Sequence, residues 1–249
     1  MENSMHSDNI SIIIPARYAS TRLEGKPLLK AKGKTIIHWV YEKATQSKLA
    51  SDVIVATDDK RIFDEVEGFG GKACMTSTEH KCGSDRLVEV LNKYENIKIA
   101  VNVQGDEPMI EPSSIDKAIE TLINDNNADI STLIRKIDTD EEINNPNTVK
   151  AVTDNNGYAM YFSRSPIPYE RNKNQADTFA HIGLYVYRRE ALLKMSKLPQ
   201  TNLEKAESLE QLRALQNGMK IKTTIVDFVP VGIDTKEDLE KFRQIVSRG

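Results

Sequence analysis

Three cations, Arg17, Arg22 and Lys26, sit close together in the stretch IIPARYASTRLEGKPL, residues 13–28. A strand-end loop with several cations and free backbone N–H groups can cradle phosphates; the same residues also make a solvated basic turn. The loop is not a Walker A loop, because Pro27 follows the lysine where Ser or Thr is needed, and no GxGxxG dinucleotide fingerprint occurs. Further along, VNVQGDEPM (101–109) ends an apolar run on Gln104-Gly105-Asp106-Glu107-Pro108. Asp106 and Glu107 are hard oxygen ligands of the kind Mg²⁺ takes together with phosphates and waters. Gly-Asp-Glu-Pro is equally turn chemistry. Asp234, in VGIDTKEDL, is a second candidate ligand and, taken alone, equally a turn residue ahead of a helix. Cations on a triphosphate, two carboxylates on Mg²⁺ and a sheet edge under a base together make nucleotidyl transfer, where catalysis is largely positioning and charge stabilisation.

Such groups need a scaffold, and the hydrophobic pattern supplies one. Ile10–Pro15, Asp52–Ala56 and Lys98–Val103 are short apolar runs that read as buried strands. Between and after them, Thr35–Lys48, Lys60–Glu67, Ser84–Tyr94 and Ser113–Asn124 carry helical spacing, with Gly68–Gly71 as a stop and Ser113 as an N-cap. The alternation predicts a parallel α/β sheet whose polar loops, at 16–26, 57–59 and 104–107, share the carboxyl edge where ligands bind. The second half changes pattern. Thr148–Thr153 and Ala159–Ser163 flank Asn155-Asn156-Gly157, a hairpin signal. Ser165–Tyr169 reads as an extended arm suited to partner contact, and 170–177 as a mobile loop. His181–Arg188 and Ile221–Asp227 read as strands. Ser208–Gln216 reads as a helix, and Thr235–Val246 as a last helix with Thr235 as N-cap and Asp238 at N3.

The bulk numbers bound the reading. The 249 residues carry a net charge of −3, which argues against a nucleic-acid footprint but leaves room for a local cationic pocket. The two cysteines, Cys74 and Cys82, fit neither a disulfide framework nor a zinc site and suit a reducing cytoplasm. No apolar run is long enough for a membrane span, and the polar leader 1–9 is no secretion signal and reads as disordered.

In order along the chain, IIPARYASTRLEGKPL, VATDD, VNVQGDEP, YFSRSPIP, HIGLYVY, LEQLR and GIDTKEDL resemble the 3-deoxy-manno-octulosonate (Kdo) cytidylyltransferases. IPAR, STR and GKPL alone mark sugar nucleotidyltransferases in general; NVQGDEP with SRxxIP and HIG narrows the resemblance. It implies a Rossmann-like, three-layer α/β/α nucleotidyltransferase sheet with a small dimerisation excursion. It implies CTP plus Kdo giving CMP-Kdo and pyrophosphate with Mg²⁺, in a cytoplasmic homodimer serving lipopolysaccharide inner-core synthesis. By the same resemblance, Ala16, Arg17, Ser20, Thr21, Arg22 and Lys26 match the segment that holds CTP. Thr76, Ser84 and Arg86 match the region near the cytosine. Gln104, Arg164, His181 and Glu210 match sugar-acid contacts, and Asp106 and Asp234 match the Mg²⁺ ligands. Catalysis would rest on Arg17, Lys26, Asp106 and Asp234. One domain, 10–249, is expected, with a CTP-binding part at about 10–125 and a sugar-binding and dimerising part at about 126–230.

Two positions depart from the family pattern. Glu24 stands where a proline is usual and is expected to point outward; Cys82 stands where a small polar residue is usual. Rival readings are the same transfer to 8-amino-Kdo or another acid sugar, a non-catalytic nucleotide sensor on this fold, and a metal-dependent glycosyltransferase. The last would carry an Asp-x-Asp motif, whereas this strand ends in QGDEP.

Overall fold

The apolar run ISIIIPA becomes strand β1 (Ile10–Ala16), with Ile12, Ile13 and Ile14 fully buried. Burial on both faces is what a central parallel strand requires. These coordinates are a computed structural model describing residues 9–19, 23–80, 82–172 and 175–248. The expected leader therefore lies outside the described residues apart from Asn9. The chain forms two compact units, residues 1–116 with 230–249, and residues 117–229.

In the first unit, β1 is followed by a short hairpin, β2 (Lys30–Ala31) and β3 (Lys34–Thr35), then helix α1 (Ile36–Ala44). Strand β4 (Asp52–Thr57), helix α2 (Lys60–Gly68), strand β5 (Lys72–Met75), helix α3 (Gly83–Lys93) and strand β6 (Ile99–Asn102) follow. The sheet runs β6-β1-β4-β5, all parallel, with Ile13 beside Ile54 and Asn102. Caps set the helix starts: the Thr35 hydroxyl accepts from the His38 N–H and the Asp59 carboxylate from the Arg61 N–H. The C-terminal helix Lys236–Arg248 returns to this unit. Thr235 and Asp238 cap it reciprocally, as the sequence predicts. Its Leu239 and Phe242 pack with Leu23, Ile36 and Ile233, so one apolar cluster pins both the basic loop and the segment carrying Asp234.

Helix α4 (Pro112–Ile123) starts one residue before the predicted N-cap, Ser113. Proline suits a first helical position, because its φ is preset and its missing N–H has no intrahelical partner there.

The second unit centres on β7 (Ile130–Ile137), a strand the sequence pattern did not reveal. Strands β8 (Lys150–Thr153) and β9 (Ala159–Ser163) form the expected hairpin, with Gly157 at φ 77° and the Asp154 carboxylate accepting from the N–H groups of Asn156 and Tyr158. Strand β10 (Thr178–Arg188) pairs antiparallel with β7 on one side and β8 on the other, and β11 (Ile221–Ile225) pairs parallel with β7. One prediction is corrected. Residues 208–216 are not one helix: Asn202–Glu207 ends at Ser208, which is left-handed at φ 52°, and helix resumes at Gln211–Gln216. Serine hydroxyls compete for backbone groups in helix interiors, which lowers the cost of a break there.

Candidate active site

The carboxyl ends of β1 and β6 open into a cavity of about 400 Å³ lined by Ala16, Arg17, Lys26, Gln104, Asp106 and Asp234 among others. Local chain geometry brings each group there. Gly25 adopts φ 65°, and a Cβ on it would stand 3.1 Å from the Tyr18 ring. Its N–H donates to the Tyr18 carbonyl at 3.0 Å and closes the loop just ahead of Lys26. The Arg61 guanidinium covers the other partner of that turn, 3.3 Å from the centre of the Tyr18 ring. Gly105 passes so close to β1 that a Cβ would lie 2.7 Å from the Pro15 carbonyl, so only glycine lets Asp106 sit at this depth. The Ile233 N–H donates to the Asp106 carbonyl at 2.9 Å, tying the Asp234 segment to the Asp106 turn.

These constraints converge on one point. Lys26 Nζ donates to Asp106 Oδ2 at 2.6 Å and to Asp234 Oδ1 at 3.1 Å. Two carboxylates separated by 128 positions in sequence thus share one cation while remaining partly open to solvent. Among the described residues no three His, Cys, Asp or Glu side chains converge as a complete metal cage. Two carboxylates suffice for Mg²⁺, which keeps waters and takes substrate phosphate oxygens. Beside them, burial and then the Asp106 charge push the Glu107 carboxyl up to about 7.

Thr76, Ser84 and Arg86 are each buried. Arg86 Nη2 donates to Asp58 at 2.7 Å, and Nη1 donates to the Thr76 hydroxyl. The Thr76 N–H donates to the Thr57 carbonyl at 2.8 Å. Arg86 therefore braces the loops after β4 and β5 from beneath. Cys82 Sγ lies 3.1 Å from the Ser84 hydroxyl. Glu24 is exposed, as expected. Ser20, Thr21 and Arg22 lie outside the described residues.

In the second unit, His181 is partly buried between Phe162, at 4.9 Å centroid to centroid, and Tyr185, at 5.3 Å. Burial pushes its imidazole down to about 3, so it is neutral at physiological pH. Burial, and then the Glu210 charge, raise the Tyr185 phenol. Arg164 points its guanidinium at carbonyls: Nε to Glu207 at 2.7 Å and Nη1 to Pro146 at 3.0 Å. Its donors brace the chain beside the site. Gln211 is buried, and its Nε2 is sealed in the core with no partner among the described residues. Tyr185 and Gln211 were not singled out from the sequence. Gln211 adjoins Glu210, and that adjacency is the signal that could have found it; Tyr185 lies four residues after His181, a spacing that regular strand would stretch to about 13 Å, so periodicity does not signal it.

The cytidylyltransferase family model matches residues 11–221. A 3-deoxy-manno-octulosonate cytidylyltransferase of Fusobacterium nucleatum is 51% identical over 229 residues, covering 92% of this chain and 93% of that protein. The chain belongs to the 3-deoxy-manno-octulosonate cytidylyltransferase family. A second member, from Geotalea daltonii, is 49% identical over 243 residues, 93% of this chain and 96% of its own. The solved structure of a CMP:2-keto-3-deoxy-manno-octonic acid synthetase complexed with CTP superposes with a TM-score of 0.92 at 46% identity, over 96% of this chain and 98% of that one. A cytidylyltransferase from Leptospira borgpetersenii shares the fold at a TM-score of 0.67 and 20% identity, over 97% of this chain and 87% of that one. In this family member the mixed α/β fold, with its parallel strands flanked by helices, agrees with the architecture implied by the motifs.

Proposed function

We propose that the protein transfers a cytidylyl group from CTP to the anomeric 2-hydroxyl of Kdo, releasing pyrophosphate. The observation that carries the reading is the meeting of Asp106, Asp234 and Lys26 at the strand ends of a cytidylyltransferase fold. Arg17 and Lys26 line the same cavity and neutralise the triphosphate, which lowers the cost of bringing a second anion, the sugar acid, beside it. Gln104 is held at the cavity wall by the tight Gly105 turn and orients the acceptor. Asp106 and Asp234 would hold a Mg²⁺ ion. When bound, that ion would offset phosphate charge and lower the pKa of the attacking hydroxyl. Lys26, now between the two carboxylates, is placed to move to the phosphates as substrate enters.

His181, Glu210 and Tyr185 supply polar groups for the sugar hydroxyls in the second unit. The protein is proposed to act as a homodimer in the cytoplasm, supplying CMP-Kdo for lipopolysaccharide inner-core synthesis. Exposed Tyr169 and Met160 offer apolar surface for a partner copy, and no helix among the described residues is long and apolar enough to cross a membrane. Sedimentation at several concentrations tests the dimer.

The substrate test follows pyrophosphate release from CTP and Mg²⁺ with Kdo, with 8-amino-Kdo and with no sugar. Release with Kdo supports the proposal. Release with the amino sugar alone keeps the chemistry and moves the specificity. Folded protein that binds CTP and releases nothing with either sugar would be a nucleotide sensor.

A further inference from the structure

Strand β10 carries an irregularity opposite Thr132. Ile182 pairs with Leu133 and Tyr185 with Thr132, so Gly183 and Leu184 are extra residues against a single step of β7. Two things follow from the contraction. The His181 and Tyr185 rings come within 5.3 Å, whereas four residues of regular strand span about 13 Å. The carbonyls of Ile182 and Leu184 both turn toward one buried hydroxyl, Thr132 Oγ1, at 3.2 and 2.7 Å. His181 Nε2 lies 2.9 Å from that same oxygen.

A threonine hydroxyl has one proton to give, and carbonyls can only accept. The proton goes to Leu184, the nearer carbonyl. His181 Nε2 must then be the donor to Thr132 Oγ1. A neutral imidazole has one N–H, so the other nitrogen carries a lone pair. Nδ1 has no partner among the described residues and is not among the atoms sealed in the core. We propose that Thr132 is a positioning residue that fixes His181 as its Nε2–H tautomer, so that Nδ1 accepts a proton from a hydroxyl of the sugar acid and does not bind its carboxylate.

This inference rests on the sugar-acid reading of the His181 site, but its first half is read without any ligand. The full-length protein, labelled with ¹⁵N-histidine, is examined by long-range proton–nitrogen correlation at neutral pH. His181 is assigned by the signal missing in His181→Gln. The expected pattern is a protonated Nε2 and an unprotonated Nδ1, with the Nδ1 signal moving when Kdo is added. Thr132→Val should lose the single tautomer and raise the KM for Kdo by roughly two- to tenfold, the worth of one hydrogen bond, with the KM for CTP unmoved. Thr132→Ser should restore both readouts, which a merely structural role would not require. An Nδ1–H form or an imidazolium in the wild type would overturn the inference, whether or not Thr132→Val folds. So would a Thr132→Val protein with wild-type tautomer and wild-type KM for Kdo. A correct tautomer whose Nδ1 signal ignores Kdo, in protein that turns Kdo over, overturns the hydroxyl contact. Loss of turnover altogether in folded wild-type protein would instead strike the proposed function and leave the tautomer result standing.

Discussion

Gly105→Ala isolates the positioning of Asp106 from its chemistry. The new methyl would stand 2.7 Å from the Pro15 carbonyl, about 0.7 Å inside ordinary contact at 3.4 Å. That carbonyl belongs to β1, which is locked by neighbours on both sides, so the 104–106 turn must be the part that yields. A shift of several tenths of an ångström moves Asp106 off the 2.6 Å contact with Lys26 and out of register with Asp234. Overpacking of this kind costs about 1–3 kcal/mol of stability. For a chain of this length that is a loss of roughly 2–12 °C in Tm, so the protein stays folded at 25 °C. Misplacement approaching 1 Å at a reacting centre costs about 100-fold in rate. The assay is pyrophosphate release under saturating CTP and sugar, with Tm measured on the same preparation. A variant with lowered Tm and near-normal kcat would refute the claim that the Gly105 turn sets the reacting geometry.

Removing the buried brace should act differently. Arg86→Ala strands Asp58 and should cost about 3–5 kcal/mol in urea denaturation, with part of the loss recovered when Asp58→Asn is added; a double-variant loss equal to the sum of the two single losses would show that the pair is not coupled. Lys26→Met removes the cation shared by the two carboxylates and should lower kcat/KM for CTP by about 100-fold or more while leaving far-UV circular dichroism unchanged; a rate within a few-fold of wild type would contradict its role. For pH, His181 is held at about 3 against an ordinary value of 6.5. Between those values the unfolded chain binds a proton that the folded chain refuses, so this contribution is fully present above pH 6.5 and is lost as pH falls toward 3, by at most about 1.4 kcal/mol per pH unit. His181→Gln should flatten that part of the stability profile, and identical profiles would show that the imidazole is not held neutral.

The first unit was legible because its strands are central and parallel. ISIIIPA, DVIVAT and IAVN are buried on both faces and read as unbroken apolar runs, and their polar successors mark the ligand edge. Strand β5, KACM, sits at the sheet's edge, half exposed and without alternation, so it left no such signal. The break at Ser208 was hidden because a left-handed serine looks like any other polar residue on a helix face. Lys26, Asp106 and Asp234 were each ambiguous between ligand and turn as single residues. Their meeting depends on packing by Leu239 and Phe242 and on the close passage of Gly105, neither of which a local pattern encodes. Tyr185 was missed because the irregularity in β10, not strand periodicity, brings it onto His181.

The central claim is tested most directly by following the label. Protein is mixed in single turnover with CTP carrying radiolabel on its α-phosphate, Mg²⁺ and Kdo, and the products are separated. Label is expected in a sugar nucleotide with the wild type, and transfer slowed by at least about 100-fold in Asp106→Asn and in Asp234→Asn, both folded. Label appearing as free CMP, or either variant transferring at the wild-type rate, would contradict it.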